Sequence, residues 1–509
     1  MSGRFCLSLT ALAALAASSF AQGEPDVIQK ILENGRDKSR AKAIHTELCE
    51  DIGARLTGSR ALEKGTIWAI KQFSDFGLSN IHLDEWGRIP VGFDRGKRQR
   101  VRMTAPYDID MTFSTPCWTV GTDGPVEGHV MRMPETAEEL EKVRKQMKGA
   151  WILMPKPAGM RGPDYRKPTD LDKEADKCGI AGRIYRTDTD LVWTGGVWSD
   201  YTDETRPKTP LIVVPKSDYE SLTYSIDKKR EVKFEADIEN IFTRREFPVS
   251  NIIAEIPGTE RPDEFVIVGG HFDSWNGPGS QGASDNGTGT TATLEAARIL
   301  MASGAKPKRT IRFILWTGEE QGLFGSTHYA NKHKDSLDKI VAVLNEDSGQ
   351  NYQAAIAGLP DMMPLLREAA APLTNAFPGM PFEVREVQRL SRSGSDHVPF
   401  VQRGVPAFFM VKGGDLSYRH VWHTQNDKHT EVPEQNLRQM STNMAMLAYN
   451  LACAEDTLPR VLASQTTMEW EHVGGAFDEH EHADSEMSMH CKCGAVQELM
   501  FKLARKGFR

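Results

Sequence analysis

The chain has 509 residues, 39% of them hydrophobic and 26% charged, with a formal net charge of −8. Those proportions match globular averages, and at roughly 100–200 residues per domain the length calls for two or three domains, which argues against disorder and against a membrane-protein class. The charge is mild and no sustained Lys/Arg block follows the chain, which argues against a nucleic-acid partner.

At the N-terminus the cation Arg4 precedes an apolar run from Phe5 to Ala17, and Ser19, Phe20 and Ala21 follow as a small-x-small site. Residues 1–21 therefore read as a signal peptide, and the mature chain is expected to be secreted or periplasmic. The run is shorter than the about 20 apolar residues that a spanning helix needs, and no comparable run follows, so no membrane span is expected. Loss of Cys6 with the signal leaves Cys49, Cys117, Cys178, Cys453, Cys491 and Cys493, an even number that suits an oxidising compartment, with no pairing legible.

From residue 22 to 110 the apolar spacing of Ile28, Ile31 and Leu32, then of Ile67 to Ile70 and Phe73, predicts helices, with LTGSR at 56–60 as the break between them. A short strand is expected around Ile81 to Trp86. Residues 111–245 mix short β-like runs (Trp151 to Met154, Pro210 to Val214, Glu231 to Glu235) with a charged helix near Ala137 to Lys148, and read as an inserted β-rich domain. Between 246 and 455 apolar strands alternate with helices: EFVIVGGHFD, a helix over Thr288 to Ala302, RTIRFILWTGEE, IVAVLNEDSG, PAFFMVKG, and a long helix from about Pro433 to Cys453. This is the pattern of an α/β fold, a central sheet flanked by helices on both faces, whose ligands bind beyond the carboxyl ends of the strands. Residues 456–509 form a tail. Its His480, His482, His490, Cys491 and Cys493 read as a solvated extension, with metal binding or a disulfide as alternatives.

The polar residues fall at those strand ends. Hydrolysis of an amide near neutral pH needs a polarised carbonyl, an acidified water and a proton for the leaving amine, which two zinc ions about 3.5–4 Å apart and a nearby carboxylate can supply. His271 and Asp273 lie on the same side of an extended strand, so Asp273 can orient His271 as a metal ligand. Asp285 stands in the Gly-rich GASDNGTG turn ahead of a helix and is the candidate bridging ligand, with an N-cap as the alternative role. Glu319 and Glu320 are adjacent at a strand end behind an apolar run. Two like charges there need cations, and one can ligate while the other acts as general base. Asp347 is a terminal ligand with Glu346 as the fallback. His423 is the last, with Asp427 placed to support it and His420 as the competitor.

HFD at 271–273, DN at 285–286, EE at 319–320, Asp347 and His423 together resemble the co-catalytic zinc aminopeptidases and glutamate carboxypeptidases, whose pattern runs HxD, Asp-Asn, Glu-Glu, Asp, His. The resemblance implies the zinc exopeptidase fold with two zinc ions and a peptide substrate. In that pattern His271 and Asp347 hold one ion, Glu320 and His423 the other, Asp285 bridges them, and Glu319 is the catalytic base, supported by Asp273. It also implies a cis bond between Asp285 and Asn286, and it takes in SGSDHVPF at 393–400 and RGVPAFF at 403–409. KGAWILM, DKCGIAGRIYR and PLIVVPKSDYESL resemble a protease-associated (PA) domain, and LTGSRALEKGTIWA resembles the carboxypeptidase Q-like branch, whose members are secreted dipeptidases or carboxypeptidases.

Competing signals are weaker. Gly277, Gly279 and Gly282 spell GxGxxG but do not directly follow a strand, so a dinucleotide site is not expected. No GxSxG nucleophile elbow occurs, and the NGT sequon at 286–288 lies inside the candidate site and is expected to be unmodified. A glutaminyl cyclase-like acyltransferase shares the look of SDHVPF and WHT but works with one zinc, and a non-catalytic receptor-like ectodomain would have lost ligands. Arg392 is a candidate partner for a substrate α-carboxylate, and Trp275, Phe324 and Trp422 are candidate pocket walls. The direction of trimming, the choice of zinc over cobalt or manganese, and a homodimer stay open at this level.

Overall fold

The computed structural model describes residues 23–468 apart from 160–161, 164–167, 197–205 and 348. The expected signal peptide and the His/Cys-containing part of the tail lie outside the described residues. Among the described residues no helix is long and apolar enough to cross a membrane, and Cys49, Cys117, Cys178 and Cys453 are free thiols.

A six-stranded mixed sheet forms the centre, in the order Ser79–Ile89, Phe247–Ile256, Arg309–Trp316, Arg261–His271, Ile340–Asn345, Ala407–Phe409. The first two pairings are antiparallel and the last three parallel. The parallel strands are continuous apolar runs because both of their faces are covered. Alternation along Arg309–Trp316 shows how: Phe313 points to Phe73 of the helix Arg60–Asp75, whereas Trp316 packs against Tyr329 of the helix Phe324–Lys332 and against Phe400. The helix Arg60–Asp75 begins where LTGSR was read as a break, with Ser59 accepting the Leu62 amide as its N-cap.

The helices Thr288–Ala302 and Glu434–Cys453 pack on each other and on the sheet. Small residues allow the first to come very close. A Cβ at Gly270 would lie 2.6 Å from the Glu346 carbonyl and about as near to Gly289, so glycine is required where that helix meets the strand.

A second sheet of seven strands has its own core around Trp151, Ile184, Ile212 and Phe234, and runs Ile109–Asp110, Gly92–Ala105, Lys233–Thr243, Val126–Arg132, Trp151–Leu153, Gly182–Arg186, Leu211–Val214. It starts earlier than the expected boundary at residue 111. The strand Gly92–Ala105 pairs along its length with Lys233–Thr243, which returns to the peptidase-like part, so the two strands enter and leave the insert together.

Candidate metal centre

Register alone brings the strand ends together. His271 pairs opposite Trp316, and Gly269 opposite Asn345, so the residues just after each strand share one edge of the sheet: His271 to Asp273, Glu319 and Glu320, Glu346 and Asp347. The turn before the helix Thr288–Ala302 adds Asp285, and the segment after Tyr418–Val421 adds His423.

The carboxylate of Asp285 stands between the two imidazoles. Its Oδ1 is 3.3 Å from His271 Nε2, and its Oδ2 is 3.1 Å from His423 Nε2. His271 Nε2 is also 3.1 Å from Asp347 Oδ1, and His423 Nε2 is 3.0 Å from Glu320 Oε2. Two groups of three follow, His271 with Asp285 and Asp347, and His423 with Asp285 and Glu320, each with its ligand atoms within 4.8 Å of one another and Asp285 in both. The Asp285–Asn286 peptide is cis. Asp285 does not cap the helix. The Asn286 side chain accepts the Gly289 amide, while its buried nitrogen donates to the Glu346 carbonyl.

The supporting contacts differ in part from expectation. His271 is oriented by Asp273, but through the main chain: Nδ1 donates to the Asp273 carbonyl at 2.9 Å, while the nearer carboxylate oxygen is 3.8 Å away. That bond fixes the tautomer and turns the Nε2 lone pair toward Asp285 and Asp347. The Asp273 carboxylate instead accepts from Thr57 Oγ1 and from the Glu319 and Glu320 amides, so it places the Glu-Glu pair. Asp427, expected beside His423, accepts the Ser284 and Asp285 amides, because those turn donors have no helical partner. Glu346 is turned away onto a buried ion pair with Lys412 at 2.5 Å and a bond from Gln353. His420 is exposed, which leaves His423 as the site imidazole.

Trp422 stacks on His423 at 4.4 Å between ring centroids, and Trp275 meets it edge-on at 6.4 Å. Phe324 stacks instead on Trp86. Arg392 binds Thr467 through its amide, and its buried Nε has no hydrogen-bond partner among the described residues. The inserted unit reaches this edge too. Thr194 donates its amide to the His423 carbonyl at 2.9 Å, and Val192 and Gln425 bond to each other.

Electrostatically the cluster is a set of acids crowded out of water. Burial, then the charge of Asp285, pushes Glu320 up to about 7. Burial pushes Glu319 well above the usual carboxylate range, with Asp347 and Asp396 adding to it. Burial also pushes Asp427 up to about 7, with Asp285 adding to it. Burial works against protonation of His423, but Glu320 and Asp285 overcome it and raise that imidazole to about 10. Carboxylates and imidazoles that hold protons this strongly in one dry place exchange them for divalent cations. The donor set of two Nε2 atoms and three carboxylates, with Asp285 between the two imidazoles, fits zinc.

A third group, His45, Cys49 and His429, is also compact. Its nitrogens are already engaged: His45 Nδ1 bonds His429 Nδ1 at 2.7 Å, and Nε2 bonds the Ala283 carbonyl at 3.0 Å. Burial pushes the Cys49 thiol up to about 12, so the trio is a clasp between segments.

Three residues at this edge carry no sequence signal of their own. Arg55 and Asp396 are buried around the cluster, and the Lys412 side chain is largely buried; Lys412 falls in PAFFMVKG and Asp396 in SGSDHVPF, segments named above for other reasons, and Arg55 in none.

Residues 251–448 match the family model described as Peptidase family M28. Carboxypeptidase Q of Rattus norvegicus is 27% identical over 422 residues, covering 81% of this chain and 85% of the relative. The solved peptidase M28 precursor from Shewanella amazonensis superimposes with a TM-score of 0.60 at 22% identity, covering 86% of this chain and 98% of that one. A zinc aminopeptidase from Bacillus subtilis gives 0.51 at 21%, covering 82% and 98%. Residues 251–448 thus match peptidase family M28, and together with the likeness to carboxypeptidase Q this match supports a metallo-exopeptidase.

Proposed function

We propose that this chain is an exported exopeptidase that uses two zinc ions to hydrolyse dipeptides or the terminal bond of short peptides. The observation that carries the reading is the pair of ligand groups sharing Asp285. His271 and Asp347 would hold one ion, Glu320 and His423 the other, and Asp285 both. Bound there, zinc supplies Lewis acidity toward the scissile carbonyl and lowers the pKa of water.

The chain's own residues do the rest. Glu319 takes the proton from the attacking water and passes it to the departing amine, and its position is set by the hydrogen bond that its main-chain amide donates to the Asp273 carboxylate. Trp275 and Trp422 flank His423 and wall the substrate cleft. The buried, unpartnered Nε of Arg392 favours pairing with a free α-carboxylate, in line with the similarity to carboxypeptidase Q. The insert, PA-like in its sequence motifs, closes one side of the cleft through the contact of Thr194 with His423.

The test is elemental analysis of purified protein alongside hydrolysis of dipeptides blocked at either end. Two zinc equivalents, cleavage of N-blocked dipeptides and none of C-blocked ones support the reading. The opposite preference would make the enzyme an aminopeptidase. One zinc equivalent with cyclisation of N-terminal glutaminyl peptides would replace the peptidase reading with the acyltransferase one.

A further inference from the structure

We propose that Arg55 is a positioning residue for the shared carboxylate Asp285, an inference that rests on the two-zinc reading above. Arg55 is 0% exposed. A guanidinium buried this deeply is normally matched to a carboxylate, yet the hydrogen bonds it makes all go to main-chain carbonyls. Nε donates to Phe272 at 2.7 Å, Nη2 to Gly282 at 2.9 Å, and Nη1 to Gly53 at 2.8 Å and, more loosely, to Gln281 at 3.4 Å. Its charge is compensated through space by Asp427, Asp273 and Asp285.

Apart from Gly53, which lies in Arg55's own segment, those carbonyls belong to two loops. Phe272 lies between His271 and Asp273, and Gln281 and Gly282 lead into the turn that presents Asp285. A single planar fork therefore fixes the gap between the strand end with the first imidazole and the turn with the shared ligand. The Arg55 main chain adds to the hold on the first loop: its amide donates to Ser274 Oγ at 2.9 Å, and its carbonyl accepts the Ser274 amide at 3.1 Å. The loops touch directly beneath it, since Gly282 has φ of +60° and a Cβ there would collide with Ser274 Oγ.

The remaining groups of the turn are held from the other side. Ala283 gives its carbonyl to His45, and Ser284 and Asp285 give their amides to Asp427. From Gln281 to Asp285 each residue thus has a main-chain group gripped by a buried side chain, and Arg55 alone joins that grip to the His271 strand. Lysine cannot take its place, because one ammonium lacks the fork that reaches both loops at once.

The experiment is a zinc titration of the chelator-stripped full chain as wild type and as Arg55→Lys, with the melting temperature of each recorded before and after zinc loading. Supporting contacts behind metal ligands are typically worth about 10–100-fold in affinity, and a loss in that range is expected at one or both sites. The rise in melting temperature on zinc loading should shrink in step. A residue that only filled the core would lower both melting temperatures alike and leave the rise and the affinity unchanged, and that result overturns the proposal. Should Arg55→Lys fail to fold, Ser274→Ala removes only the acceptor of the Arg55 amide. It is expected to weaken zinc several-fold, and wild-type affinity in that variant overturns the proposal as well. A wild type that takes up no pair of zinc ions would take down both readings, whereas a two-zinc wild type beside an unaltered Arg55→Lys takes down this one alone.

Discussion

The two sheets of this molecule use the same charged residue types to opposite ends. In the inserted sheet Arg98 pairs with Asp237, and Arg102 with Glu235 and Asp108, across neighbouring strands or a turn where water still reaches them. At the edge of the central sheet Asp273, Asp285, Glu319, Glu320 and Asp347 are packed out of water with two imidazoles among them. The first arrangement is tolerant because solvent screens it. The second must take up protons or cations to relieve its like charges, which makes it the candidate place for chemistry. Burial, more than residue type, separates a surface from a site.

The sharpest way to break that contrast is Asp285→Asn. An amide in place of the shared carboxylate removes a ligand from both groups and one negative charge from the cluster. Elemental analysis should find both zinc sites depleted, and turnover should fall to background. Retention of two zinc equivalents would show that the two groups do not depend on a shared ligand.

Glu319→Gln comes next. It leaves every proposed ligand in place and removes the proposed general base, so kcat should drop by about 10²–10⁴-fold at unchanged zinc content. Wild-type kcat in this variant would assign the base elsewhere, with Asp396, a buried carboxyl outside the proposed ligand set whose charge acts on Glu319, as the next candidate.

These two variants also mark what was legible in the chain. Period-two alternation and apolar runs that stop at a polar residue identify strand ends, and strands in parallel register must deliver those ends to one edge. His271, Glu319, Glu320 and Asp347 could therefore be read before any coordinates. The neighbours that hold them could not. Arg55 acts on main-chain carbonyls more than 200 positions away, and a carbonyl has no letter in the sequence. Asp427 was read beside His423 from proximity along the chain, but it serves the unsatisfied amides of the Asp285 turn. The strand Gly92–Ala105, which the sequence reading places before the insert, pairs with Lys233–Thr243 some 140 residues later, and pairing partners at that range leave no local pattern.

The inserted sheet should fail in a different way. Trp151 is fully buried and meets Phe234 edge-on at 5.2 Å. Trp151→Ala should cost about 3–5 kcal/mol of stability in denaturant unfolding, through lost contact and the cavity left behind. Zinc content should stay at the wild-type value in the protein that remains folded. Loss of zinc in step with that sheet would mean that the insert holds the metal centre together, through the Thr194 contact with His423, and does more than wall its cleft.

The smallest effect is expected where the charges look most ordered. Arg98 and Asp237 lie 2.6 Å apart with 43% and 21% of their side chains exposed. A double-mutant cycle on the pair should return a coupling of about 0.2–1 kcal/mol that fades as salt is raised, because two long, solvated side chains gain little from each other beyond what water already gives. A coupling of several kcal/mol that ignored salt would mean that this surface is shielded from solvent in the working protein, as it would be in a dimer that covers it. The contrast between the two sheets would then hold only for the isolated chain.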